Sequence, residues 1–210
     1  YHEQRAVLDA MIAAGGDRVR TEVTGRTAEG KEMRVLIISS PANIARLDAI
    51  RLDLARLADP RALTKAQAAD LAKTTPALSI LSHSIHGNEP AGFETSMMTA
   101  YTLLASESPQ VKAILDNTIT IINPSQNPDG HERFAAWSNS VAVGSQEPAA
   151  LEGGEPWSIA GRFNHYRFDM NRDLIALSQA ETKATAGAVR RWHPQVFVDL
   201  HSTTAQYFFP

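Results

Sequence analysis

Leu78-Ser79-Ile80-Leu81-Ser82-His83-Ser84-Ile85-His86-Gly87-Asn88-Glu89-Pro90 joins an apolar, strand-like run to a His-x-x-Glu pair and then to a helix-forming segment. A short apolar run bounded by turn residues suits a buried strand. The strand is expected to deliver His86 to its carboxyl end, with Gly87 and Asn88 turning the chain and Glu89 opening the helix. In an open α/β sheet, the crevice beyond the carboxyl ends of the strands is where ligands sit. An imidazole and a carboxylate fixed there suit a borderline-soft divalent cation, zinc first. The pair alone is a short pattern that recurs by chance, so the rest of the chain has to supply further ligands.

Working outward, 210 residues are enough for one large domain with a sizeable core. A hydrophobic content of 43% and a charged content of 20% are ordinary for a globular protein. The net charge of -3, with Lys and Arg scattered, gives no footprint for nucleic acid. Cysteine is absent, which excludes disulfides, thiolate nucleophiles and Cys-based zinc sites. No apolar run reaches the ~18 residues of a membrane span. The chain opens at Tyr1 without a recognisable signal peptide, so an upstream segment is expected.

Before the central stretch, residues 3–14 are expected to form a helix stopped by Gly15-Gly16. Strands are expected at 18–25 and 32–39, joined by the loop 26–30. Helices follow at 42–57 and 64–73, the second with Thr64 as N-cap, and together they read as a helical hairpin insertion at 42–75. After the stretch, a helix over 90–106 points Phe93, Met97, Tyr101 and Leu104 inward, and 111–115 is a further helical piece. Residues 118–122 are β-branched and read as a strand, followed by a sharp turn at 125–130. Residues 140–160, rich in Gly, Pro, Glu and Ser, read as a long surface loop able to act as a lid. A helix over 174–191 leads to a last buried strand, 196–201, which again ends in histidine. This alternation predicts a three-layer α/β/α domain with a mixed, mostly parallel central sheet.

Two strands thus finish in histidine, His86 and His201, 115 positions apart, with Glu89 close to the first. Three protein ligands and an open position make a hydrolytic zinc site. Four motifs, His86-Gly87-Asn88-Glu89, Asn127-Pro128-Asp129-Gly130, Asp169-Met170-Asn171-Arg172 and Asp199-Leu200-His201-Ser202, occur in this order. In that order they resemble the zinc metallocarboxypeptidases of the carboxypeptidase A type (peptidase M14 type), from about Tyr1 to the end of the chain. The resemblance implies one zinc ion on His86, Glu89 and His201, the His₂Glu set of carboxypeptidase A itself. It implies that Asn171 and Arg172, with Ser202, bind the substrate's terminal carboxylate, for which a planar guanidinium is suited. Asp169 would accept from the His86 ring and fix its tautomer, or else simply cap a helix. An arginine is also implied on the scissile carbonyl, where negative charge develops. Arg162 is favoured for it, with Arg133 and then Arg167 as alternatives. The partner would be a peptide with a free C-terminal carboxylate, in a secreted or periplasmic setting.

His83, three residues before His86, reads as a packed sheet histidine, and His131, His165 and His193 are read the same way. Trp137, Trp157 and Trp192 could pack or line a binding surface. Two departures from the family stand out. Asp173 follows Arg172 where the family carries asparagine, which points to a basic or amine-bearing substrate. The family's general-base glutamate comes from a strand well beyond the second zinc histidine, whereas nine residues follow His201 and none is acidic. The chain therefore reads as the front part of one catalytic domain, incomplete at its C-terminus. Two other readings stay open: an N-acyl amino acid deacylase of the aspartoacylase or succinylglutamate desuccinylase type, and a non-catalytic peptide-binding domain on the same scaffold.

Overall fold

The computed structural model describes residues 1–59, 61, 63–141 and 154–202. Its strands are β1 (Val19–Arg26), β2 (Glu32–Ile38), β3 (Ala77–His83), β4 (Thr118–Asn123) and β5 (Val196–Leu200). They form a single sheet in the order β1-β2-β4-β3-β5. β1 pairs with β2 and β2 with β4 antiparallel, while β4, β3 and β5 run parallel. The parallel trio matters most for positioning a site, because in open α/β sheets ligands sit beyond the carboxyl ends of parallel strands.

Alternation along the strands builds a core on each face. Val35, Ile37, Leu78, Ile80, Ile119 and Ile121 pack with Leu47, Ile50 and Leu54 of α3 (Leu47–Ala58) and Trp192 of α8 (Ala180–Trp192). Leu36, Ile38 and Ile122 pack on the other face against Leu8 of α1 (His2–Gly15). There they also meet Ala100, Leu103 and Leu104 of α5 (Pro90–Ala105), and Val111 and Leu115 of α6 (Pro109–Asn117). Helices on both faces of a mixed sheet are the three-layer α/β/α architecture that strand–helix alternation predicts.

Several expectations are corrected. The helix expected at 42–57 is two pieces, α2 (Pro41–Ala45) and α3, because Arg46 leaves helical geometry at φ -110° and ψ 19°. α4 (Lys65–Thr74) begins as read, with Thr64 and Gln67 closing a capping box. On α5, Tyr101 faces solvent at 61% exposure, and the inward positions are Phe93, Ser96, Ala100, Leu103 and Leu104. The expected turn at 125–130 runs directly into a helix, α7 (Pro128–Val141). The helix expected from Leu174 starts at Ala180, and Leu174 and Ile175 lie exposed. β5 borders the sheet on one side only among the described residues, so Val196 and Phe197 are exposed. Of the loop expected at 140–160, residues 142–153 lie outside the described residues.

His83 ends β3 and is 1% exposed, with no hydrogen-bond partner for either ring nitrogen among the described residues. Burial is the main cause that pushes its pKa from 6.5 down to about 4, against weaker opposing effects of Gly92 and Asp199. The unfolded chain therefore takes up a proton between about pH 6.5 and 4 that the folded chain refuses. Stability contributed by the neutral ring is complete above pH 6.5 and is lost as pH falls through that window, on the order of 3 kcal/mol. Replacing it by a neutral isostere, His83→Met, is expected to flatten the acid limb of stability. Urea unfolding of the full-length protein at pH 7 and pH 4.5 measures this, and an unchanged acid limb in the variant would count against it.

Candidate metal centre

β3 stops at His83, three residues short of His86, and Ser84 follows with a left-handed backbone at φ 51°. That turn brings Ile85 and His86 back under cover, 1% and 2% exposed. Its position is locked by Ser84 N–H donating to the Leu200 carbonyl at 3.1 Å and Ser84 Oγ donating to the Glu89 carbonyl at 3.0 Å. Glu89 then stands at the N-terminus of α5, with Pro90 in the first turn.

His201 follows β5 directly, and the parallel register Ser82↔Asp199 and His83↔Leu200 places it beside the His86 loop. The two imidazole centroids lie 4.9 Å apart. His86 Nδ1 is 2.7 Å from Glu89 Oε1, and His201 Nδ1 is 3.1 Å from Glu89 Oε2. One ligand atom from each of His86, Glu89 and His201 falls within 4.8 Å of the others. Burial alone would raise the Glu89 pKa, but hydrogen bonds from His86 and the Ser202 N–H, with the charge of both rings, hold it below the ordinary glutamate range.

The opposite ring nitrogens are also engaged. His86 Nε2 lies 3.2 Å from Asp169 Oδ1, which accepts in addition from the Asn171 N–H at 3.0 Å. Asp169 is therefore both a cap and an imidazole partner. Its Oδ2 accepts from Arg162 Nε at 3.0 Å. Burial opposes ionisation of Asp169, yet the Arg162 guanidinium, His86 and the Asn171 N–H keep its pKa below the ordinary aspartate range. A carboxylate can only accept, and both ring nitrogens of His86 face one; with a cation between Nδ1 and Glu89, the ring would keep its proton on Nε2 toward Asp169 and offer the Nδ1 lone pair. Two such imidazoles and a carboxylate match the nitrogen and oxygen donors of a divalent transition metal.

The remaining residues from the sequence reading separate by geometry. Arg133 donates to the carbonyls of Ile159, Ala160, Phe163 and Asn164, so its guanidinium is occupied by backbone. Arg167 is bound to the Ile159 carbonyl. Arg162 stays partly open, its side chain 38% exposed. Asn171 and Arg172 occupy a single 3₁₀ turn, Met170–Arg172, directly after Asp169, with Arg172 exposed. Ser202 enters through its backbone N–H, 2.8 Å from Glu89 Oε2.

Asp173 does not face a ligand, contrary to expectation. It is fully buried and accepts from Ser178 N–H and Oγ, Gln179 N–H and Thr182 Oγ1, capping the approach to α8. Burial would raise its pKa, but these four donors hold it down at about 2. Of the histidines read as packing residues, His131 stacks on Phe93 at 3.5 Å and engages the Gly87 carbonyl at 3.0 Å, so it steadies the loop after His86. Trp192 is core and Trp157 is 86% exposed.

Sequence reasoning gave no role to the residues that weld the loops together. Asn127 Nδ2 donates to the Ile85 carbonyl at 3.2 Å and the Arg162 carbonyl at 3.0 Å, joining the two loops that carry His86 and Arg162. Asp129, in the same motif, is buried on Thr27 and Lys31 of the β1–β2 loop. Glu155, at the described end of the long loop, accepts from Asn88 Nδ2 and the Gly161 N–H. Gly87 is needed because a Cβ there would stand 2.2 Å from His131 N and 2.5 Å from the Gly161 carbonyl oxygen. The signal available in sequence was Asn, Asp and Gly clustered beside the motifs, which turn chemistry alone also explains.

The sequence profile of a family described as zinc carboxypeptidase matches residues 5–210. The chain belongs to this zinc carboxypeptidase family. Carboxypeptidase Z of Mus musculus is 28% identical over 197 residues, covering 92% of this chain and 24% of that protein. Carboxypeptidase 2 of Trichophyton tonsurans is 27% identical over 125 residues, covering 60% of this chain and 18% of that protein. The chain thus spans about a quarter or less of the curated relatives it matches. Among solved structures, a metallo-carboxypeptidase from Burkholderia cenocepacia shares the fold with a TM-score of 0.60 at 17% identity, over 94% of this chain and 39% of that one. Carboxypeptidase A from Helicoverpa armigera does so with a TM-score of 0.60 at 15% identity, over 98% and 46%.

The tight packing around Gly87 makes a direct prediction. Gly87→Ala in the full-length protein is expected to displace the His86 loop, cut zinc content well below one per chain and lower the melting temperature. Metal analysis and thermal unfolding check this. Full zinc content at an unchanged melting temperature would contradict the packing argument.

Proposed function

We propose that this zinc carboxypeptidase domain hydrolyses the C-terminal peptide bond of peptides, with one zinc ion held by His86, Glu89 and His201. The observation that carries the reading is the convergence of those three side chains from segments more than a hundred residues apart. Bound zinc supplies polarisation of the scissile carbonyl and a water activated at neutral pH. Asn171 and Arg172 bind the terminal carboxylate of the substrate and set where the chain must end. Arg162 donates to the carbonyl oxygen as negative charge develops there. Its ion pair with Asp169 runs through Nε, which leaves the terminal nitrogens for substrate. Asp169 therefore orients His86 and Arg162 together. The acceptor of the water's proton is, by family resemblance, a glutamate on a later strand, outside the described residues.

In this proposal residues 1–210 are the front part of one catalytic domain, with the α3–α4 region as an insertion. No helix among the described residues is long and apolar enough to cross a membrane. A secreted or periplasmic location follows from the family resemblance. The deacylase reading has less support, since the named relatives are carboxypeptidases.

In the full-length enzyme, His86→Ala is expected to abolish both zinc binding and hydrolysis of a C-terminal dipeptide bond. Arg162→Ala is expected to lower kcat by ~10²–10³-fold with little change in KM, as loss of an oxyanion donor does. Arg172→Gln is expected to remove the preference for a free over an amidated C-terminus. Steady-state kinetics on matched acid and amide peptides, with an acyl-aspartate as control, measure all three. Retained hydrolysis in His86→Ala, or faster turnover of the acyl-aspartate than of the peptide, would refute the assignment.

A further inference from the structure

The ring of His201 has a neighbour to which the proposed reaction assigns no task. Its Nε2 lies 3.1 Å from Asp199 Oδ2, and Oδ1 of the same carboxylate accepts from Gln126 Nε2 at 2.8 Å. Gln126 is 3% exposed, and its backbone N–H donates to the His83 carbonyl at 2.9 Å, so it is locked to the end of β3. Asp199 is the second-last residue of β5 and His201 follows the strand directly, which is how the two come to sit side by side.

The arrangement mirrors the other half of the site. His86 is flanked by Asp169, whose second oxygen is held by Arg162. His201 is flanked by Asp199, whose second oxygen is held by Gln126. The difference is charge. A guanidinium shares the charge of Asp169, whereas the neutral amide of Gln126 leaves that of Asp199 undiminished. A carboxylate that accepts from a ligand imidazole fixes its tautomer and raises its basicity, and the effect grows with the charge the carboxylate keeps.

We infer that Asp199, held in place by Gln126, is a positioning residue for metal binding. It keeps the His201 proton on Nε2, presents Nδ1 to a divalent cation, and makes His201 the more strongly donating of the two imidazoles. The inference rests on the zinc reading of His86, Glu89 and His201. The test uses the full-length protein, with zinc affinity from competition against a chromophoric chelator and the His201 ring N–H of the zinc-loaded form from ¹H–¹⁵N correlation spectra, since without metal both ring nitrogens face carboxylates, Glu89 at Nδ1 and Asp199 at Nε2. The unaltered protein is expected to show a hydrogen-bonded Nε2–H at His201 that exchanges slowly with water. Asp199→Ala is expected to weaken zinc binding 10–100-fold and to lose that slow exchange. Asp199→Asn, whose amide oxygen still accepts, is expected to keep the protected N–H and lose affinity several-fold.

Asp199→Ala with affinity within twofold of the unaltered protein and an equally protected His201 Nε2–H would overturn the inference. If that variant fails to fold, Asp199→Asn decides, with unchanged affinity again overturning it. His201→Ala separates the two levels. Loss of zinc there with retention in Asp199→Ala removes only the positioning role, whereas retention in His201→Ala removes the zinc reading as well.

Discussion

The parallel pairing of β3 with β5 is the constraint on which the candidate metal centre depends. Its register, Ser82↔Asp199 and His83↔Leu200, is continued past the strand end by the Ser84 N–H on the Leu200 carbonyl. A slip of one residue would turn every β5 side chain to the other face and carry Asp199 and His201 away from Glu89. Ile80 and Leu78, buried on the α3 and α8 face, oppose such a slip on the β3 side, because their hydrophobic partners are fixed. Core packing thus decides where two distant histidines end, and the convergence of His86, Glu89 and His201 is a consequence of sheet register.

Around that register the carboxyl-end loops are welded by groups with little freedom. Asn127 binds two carbonyls from different loops, and Gly87, Gly130 and Gly161 let three backbones meet where no Cβ fits. Polar groups buried among loops must find partners or cost folding free energy. The motif Asn127-Pro128-Asp129-Gly130 is best understood in these terms. Asn127 joins the His86 and Arg162 loops, Pro128 starts α7, Asp129 ties down the β1–β2 loop and Gly130 permits close approach. None of the four needs to touch substrate to be essential to the site.

Much of this was legible in the sequence, and the failures have physical causes. Apolar and β-branched runs gave β1, β2, β4 and β5 to within a residue, and Thr64 and Gly16 marked helix ends correctly, because those signals are local. β3, by contrast, ends at His83, three residues before the expected end at His86. Pro128-Asp129-Gly130 was read as a turn, although proline in a first helical turn followed by an acid is also start chemistry. β5 was read as buried from its apolar residues, yet composition does not say which strand lies at a sheet edge. Asp173 looked like a substrate contact from its place beside Arg172, but four donors from residues 178–182 turn it inward. The convergence of Asp169 on His86 was foreseen from the family motif alone, whereas the Gln126–Asp199 contact carries no motif and needed the three-dimensional register.

The central claim is that His86, Glu89 and His201 form one coordination sphere. Zinc K-edge X-ray absorption on the purified full-length protein, loaded with one equivalent of zinc, addresses it most directly. The account predicts a shell of nitrogen and oxygen at about 2.0–2.1 Å with two imidazole scattering signatures, and one signature fewer in His201→Ala. A shell of oxygens alone, or two imidazoles retained in that variant, would contradict it.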